Sequence, residues 1–162
     1  MFSLPQLIEE DVTRIEGALA ALLTGSEAIT AFVIDKGGFV VCTAGGGEQF
    51  DLTTVAALCA AAFTANQAIA GLIGEPNFAA IYQQGERSSL FISNIDEQCL
   101  LAVIFNARLS VGAVKYYATG TTREIASQLQ RARERAPDQG VDFATMNLAD
   151  SVGFFKRKQP ES

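Results

Sequence analysis

The chain contains no histidine and no tryptophan. Without histidine, Ser-His and Cys-His nucleophilic pairs cannot form within it, and neither can most zinc sites, which depend on imidazole. Cations are scarce, with 12 Lys and Arg against 18 Asp and Glu for a formal net charge of −6. Affinity for a phosphate backbone rests on clustered cations, so nucleic acid is not an expected partner. The charge is also unevenly placed. Residues 1–100 hold 12 acids and 3 bases, whereas residues 101–162 hold 6 acids and 9 bases. A bipolar chain of this kind can be steered electrostatically toward a partner or toward a second copy.

Cysteine is equally sparse. Cys42, Cys59 and Cys99 are odd in number, widely spaced and without a CxxC pair, and each lies in an apolar stretch. They read as buried reduced thiols, which fits a cytoplasmic protein. Glu9, Glu10 and Asp11 interrupt the N-terminal apolar stretch, against the pattern of a secretory leader. Nucleotide motifs are missing too. Gly45-Gly46-Gly47 lacks the Lys-Ser/Thr of a phosphate loop, and no strand–GxGxxG–helix unit occurs. The carboxylates are scattered, with no pair spaced for general acid/base work. No catalytic residue, cofactor or metal is therefore expected, and the chain does not read as an enzyme.

What is present is a folding chain of 162 residues, 49 % of them hydrophobic. Apolar residues at Ile8, Val12, Ile15, Leu19 and Leu22 keep helical spacing and predict a first helix over 3–23. Ser3 with Gln6 and Pro5 suits its start, and Thr24-Gly25-Ser26 its stop. Two β-rich runs, 28–35 and 39–43, flank Lys36-Gly37-Gly38 and predict a hairpin. Asp51 is placed to cap a helix over 52–73 that ends at Gly74. Three strands are predicted at 78–84, 89–95 and 99–106. The last is apolar on both faces and therefore central. A final helix is expected over 110–135, with Gly120 as a point of bending.

The fold class that follows is α/β of the layered α+β kind: a five-stranded antiparallel sheet with the long helix on one face and the N- and C-terminal helices on the other. The domain is expected to span 1–136. Pro137 and Gly140 open a tail, 137–162, that carries Phe143, Met146, Val152 and Phe155 and ends near Lys156-Arg157-Lys158. The tail reads either as an amphipathic segment that docks on a partner or as a disordered terminus.

The most informative segment is the middle helix, because residues 52–74 contain no charge at all. That length suffices for a membrane span, but Thr53, Thr54, Thr64, Asn66 and Gln67 interrupt it and its bulk is alanine, so it reads as a helix covered by protein. On a helical wheel Leu52, Val55, Leu58, Cys59, Ala62, Ile69 and Ile73 fall together as the expected core face. Asn66 falls on the same side, where a satisfied buried amide is expected. Ala57, Ala61, Thr64, Ala65 and Ala68 share the opposite side with Gly71, and Leu72 lies at its margin. A solvent-facing side would carry charge. Small residues at spacings of three and four instead permit another backbone to approach closely, which predicts a protein–protein surface. Arg87, the one basic residue between Lys36 and Arg108 and placed on a hairpin turn, reads either as an arginine finger or as a solvated turn residue.

Several separated segments resemble, in order, the roadblock/dynein light chain domain family. They are Phe32-Val-Ile-Asp-Lys-Gly-Gly-Phe-Val-Val41, the helix from Asp51-Leu-Thr-Thr to Gly-Leu-Ile-Gly-Glu75, Gln84-Gly-Glu-Arg87 with Ser-Leu-Phe-Ile, and Leu101-Ala-Val-Ile-Phe-Asn106 leading into Ser110-Val-Gly-Ala-Val-Lys115. Within the family the chain looks most like the bacterial members that regulate a Ras-like GTPase in cell polarity and gliding motility. The resemblance implies a homodimer whose middle helices lie side by side and whose two copies bind one GTPase. It implies activation without a donated arginine, by stabilising the GTPase's own catalytic residues. The partner-binding positions carried over are Ala57, Ala61, Thr64, Ala65, Ala68 and Leu72. Tail contacts would come from Phe143, Met146, Val152 and Phe155. A scaffold that holds a GTPase without stimulating hydrolysis is the alternative. A cytoplasmic protein acting at a cell pole is implied, with no cofactor, no metal and no membrane span.

Overall fold

The computed structural model describes residues 4–135. Helix α1 is Glu9–Ser26, strands β1 and β2 are Thr30–Asp35 and Val40–Gly45, and helix α2 is Leu52–Leu72. Strands β3, β4 and β5 are Ala80–Gln84, Ser88–Asn94 and Cys99–Asn106, followed by helix α3, Val111–Glu134. The strands form one antiparallel sheet in the order β2-β1-β5-β4-β3. The doubly apolar strand β5 is central, and Cys99 through Phe105 are buried along it.

Alternation splits the core in two. Ala31, Val33, Leu101, Val103 and Phe105 face α1 and α3, which pack with Ile15, Leu19, Leu22, Ile125 and Leu129. Phe32, Ile34, Leu100, Ala102 and Ile104 face α2, which supplies Ala56, Cys59, Ala60 and Phe63. One helix on one face and two on the other is the architecture expected from the sequence.

The first helix begins later than its spacing predicted. Glu9, Glu10 and Asp11 form its first turn, where carboxylates oppose the positive end of the helix dipole. Asp11 Oδ2 accepts the N–H of Ile8 at 2.9 Å, which fixes the start at Glu9, while the expected cap Ser3 lies outside the described residues. The helix also runs through Gly25 to Ser26, and Glu27 ends it in the left-handed region at φ 60°. Gly25 serves packing instead of stopping, since a Cβ there would overlap the ring of Tyr117 on α3. Helix α3 passes through Gly120 as one uninterrupted element, with Ser110 as its N-cap.

The turn between β1 and β2 sets the height of α2 above the sheet. Asp35, at the strand end, accepts the N–H of Phe39 at 2.9 Å. Gly38 adopts φ +95°, and a Cβ on it would lie 2.9 Å from the Cα of Ala57. Only glycine allows α2 to rest on this turn. Gly38→Ala is expected to destabilise the domain by about 1–3 kcal/mol, measured by urea denaturation. A variant as stable as the parent would show that the helix does not depend on this close approach.

Candidate functional site: the outer face of α2

Helix α2 is held at three places. At its start Asp51 accepts the Thr54 N–H at 3.2 Å and the Thr54 hydroxyl at 2.6 Å, as its capping position predicted. These bonds keep the Asp51 carboxyl below the ordinary carboxylate range. Gly38 lies against Ala57 in the second turn. Near the far end Gln67 brackets Phe78, donating to its carbonyl at 2.7 Å and accepting its N–H at 3.1 Å. A helix so fastened presents a fixed outer surface.

That surface is formed by Ala57, Ala61, Thr64, Ala65, Ala68 and Leu72, all exposed. The inward arc differs from the one expected. It centres on Cys59 and Phe63, with Ala56, Ala60 and Ala70. Leu52, Val55 and Ala62 are half-buried at its edge, but Leu58, Ile69 and Ile73, assigned to the core by the wheel, point outward and are 64 %, 49 % and 64 % exposed. Phe63 decides the rotation. It is the helix's one aromatic, and burying its ring outweighs burying Leu58 or Ile69. With alanine on every side, the aliphatic residues alone gave the wrong centre.

The outer face is therefore wider than its small residues alone. Leu72 is 87 % exposed, and Phe39, beside Gly38 in the turn under α2, is 73 % exposed. An uncharged helix side bearing Leu58, Ile69, Leu72 and small residues is an apolar patch, the informative departure from an ordinary surface. Two polar side chains of the helix, Thr64 and Asn66, bond back to its own backbone. Thr64 Oγ1 donates to the Ala60 carbonyl at 3.0 Å and Asn66 Nδ2 to the Ala62 carbonyl at 2.8 Å. Asn66 is therefore a satisfied, half-buried amide. By length and composition α2 could span a bilayer, and among the described residues no other helix does so. In the fold it lies along the sheet as one of its covering layers.

Chemically reactive groups are few. Burial pushes the thiols of Cys42 and Cys59 up to about 11 and that of Cys99 up to about 12, so they stay protonated at neutral pH. All three are buried and free. Among the described residues no three His, Cys, Asp or Glu side chains gather where a metal could sit. Arg87 is exposed on the β3–β4 turn and forms no ion pair among the described residues. The tail positions Phe143, Met146, Val152 and Phe155 lie outside the described residues.

The sequence pattern of the Roadblock/LC7 domain matches residues 13–105, from α1 to the last but one residue of β5. The chain belongs to the roadblock/LC7 family. A comparison with curated protein sequences finds no match. Among solved structures, this roadblock chain is similar to MglB of Myxococcus xanthus, with 28 % identity and a TM-score of 0.73 over 78 % of this chain and 95 % of that one. It is similar to the gliding protein MglB of Thermus thermophilus, again at 28 % identity, with a TM-score of 0.75 over 81 % of this chain and 99 % of that one. A further MglB, described as having a tetrameric arrangement, gives 28 % identity and a TM-score of 0.75 over 82 % and 99 %.

Proposed function

We propose that this roadblock protein is a homodimeric regulator of an MglA-like, Ras-type small GTPase, raising its GTP hydrolysis in cell polarity or gliding motility at a cell pole. The observation that carries this reading is the uncharged, exposed outer face of α2 on an MglB-like roadblock scaffold. Ala57, Ala61, Thr64, Ala65, Ala68 and Leu72 form the partner surface, widened by Leu58 and Ile69. The domain ends near residue 136. The tail from 137 adds contacts through Phe143, Met146, Val152 and Phe155.

The chain has no histidine and gathers no catalytic constellation among its described residues, so its contribution is binding energy. A rigid apolar face that fits only the hydrolysis-competent arrangement of the GTPase switch segments shifts the population toward that arrangement. The partner's own residues then meet the γ-phosphate in a preorganised site. Multiple-turnover GTP hydrolysis by a cognate MglA-like GTPase tests the proposal. Added protein raises the rate if it is an activator. Binding without a change in rate would make it a scaffold.

Two further outcomes follow from the same reading. An apolar helix face and two sheet edges, β2 and β3, favour association of copies, and a related MglB has a tetrameric arrangement. Light scattering at micromolar concentration is expected to give at least twice the 17.2 kDa chain mass. A mass of one chain at every concentration would contradict it. Arg87→Ala is expected to change stimulated hydrolysis only slightly, because the partner supplies its own charge. A donated finger is worth about 10³–10⁵ in rate, so a loss on that scale with binding intact would assign the finger to Arg87.

A further inference from the structure

Two side-chain groups are buried without a hydrogen-bond partner among the described residues, the hydroxyls of Ser89 and Ser93 on β4. Ser93 is 9 % exposed. Alternation places it with Phe91 on the face of the sheet covered by α3. In register it sits between Ala80 of β3 and Leu101 of β5, whose side chains offer it nothing polar. At this place α3 and the β3–β4 edge of the sheet leave an open cleft of about 380 Å³, which Ser93 helps to line. Buried hydroxyls are costly to leave unmet, so one beside a cavity points to an occupant.

The lining defines the occupant's chemistry. Lys115 of α3 borders the cleft, and Ala80, Phe91 and Ala118 give it apolar walls, while Asn94 touches it only from the strand, its side chain alternating to the other face and its N–H donated to the Ala79 carbonyl. Thr119 and Thr122 also border it, but their hydroxyl protons are already donated to the carbonyls of Lys115 and Thr119. No carboxylate lines the cleft. Lys115 is exposed and forms no ion pair among the described residues. In a chain of net charge −6, this cation borders a cleft with no acid among its lining residues.

We propose that the cleft between α3 and the β3–β4 strands binds a small organic monoanion, a carboxylate on a short apolar body, paired with Lys115 and hydrogen-bonded by Ser93. A single cation matches one negative charge better than the two of a phosphate. The apolar walls take the body of the ligand. The Ser93 hydroxyl, enclosed in its resting position, reaches the carboxylate by turning about its Cα–Cβ bond from one staggered well to another.

Amide NMR of the full chain, titrated with butyrate, tests the site. The expected result is saturable shifts centred on Ser93, Asn94 and Lys115. 1-Butanol, which lacks the charge, and inorganic phosphate, which lacks the apolar body, should each bind at least about tenfold more weakly. Lys115→Gln alters an exposed side chain and should fold normally while weakening butyrate about tenfold. Ser93→Ala should weaken butyrate as well, yet leave the ligand-free melting temperature unchanged or raised, since the hydroxyl has no protein partner. Non-saturating shifts, preference for phosphate, unchanged butyrate affinity in Lys115→Gln, or a lowered melting temperature in Ser93→Ala would each overturn the proposal.

Discussion

Replacing Asp11 with alanine is expected to cost about 3 kcal/mol, a large share of a small domain's stability. The Asp11 carboxylate is wholly buried between α1 and α3. It accepts the Ile8 N–H at 2.9 Å, the Gln128 amide at 2.7 Å and both terminal nitrogens of Arg135 at 2.7 and 2.8 Å. A bidentate guanidinium with two further donors satisfies the buried charge. Truncation would leave Gln128 and Arg135 without their acceptor. The cost sits at the lower end for a buried pair because the Arg135 side chain keeps 17 % of its exposure. The Arg135 guanidinium foremost, with the other donors, outweighs burial and holds the Asp11 carboxyl well below the ordinary carboxylate range. A depressed acid stabilises the fold above its unfolded value. The contribution is therefore complete at neutral pH and falls as pH drops below about 4. Urea denaturation of parent and Asp11→Ala should differ most at neutral pH and converge on acidification. A gap that widens toward low pH would reverse the assigned sign.

The second large effect is expected on binding. Thr64→Arg/Ala68→Arg places two long cations on the exposed arc of α2, away from Cys59, Ala60 and Phe63. The circular dichroism spectrum and melting temperature should stay close to those of the parent. An interface that requires close backbone approach would instead bury unpaired charge. Such charges cost about 3–5 kcal/mol, or a factor of about 10²–10³ or more in affinity, enough to abolish a micromolar complex. Self-association should weaken as well if copies meet on the same face. A variant that unfolds would place these positions in the core, against their exposure.

The sheet and its layers were legible in the sequence because strand periodicity and turn chemistry agree. Residues 99–106, apolar on both faces, mark the central strand, and Asp51 and Gly74 mark the ends of α2. Element starts were less legible. The start of α1 at Glu9 depends on Asp11, a carboxylate whose partners Gln128 and Arg135 lie more than a hundred residues away. The outer face of α2 was readable from its lack of charge. Its full width was not, since Leu58 and Ile69 satisfy a core pattern equally well until Phe63 is given the inward position. The cleft beside Ser93 left no trace in local pattern, because it depends on where α3 stands above β4.

The most direct measurement is GTP hydrolysis by a cognate MglA-like GTPase in parallel with the parent protein and with Thr64→Arg/Ala68→Arg, both verified as folded. Stimulation by the parent and none by the variant is the predicted result. Equal stimulation by both would contradict the assignment of the partner surface to α2.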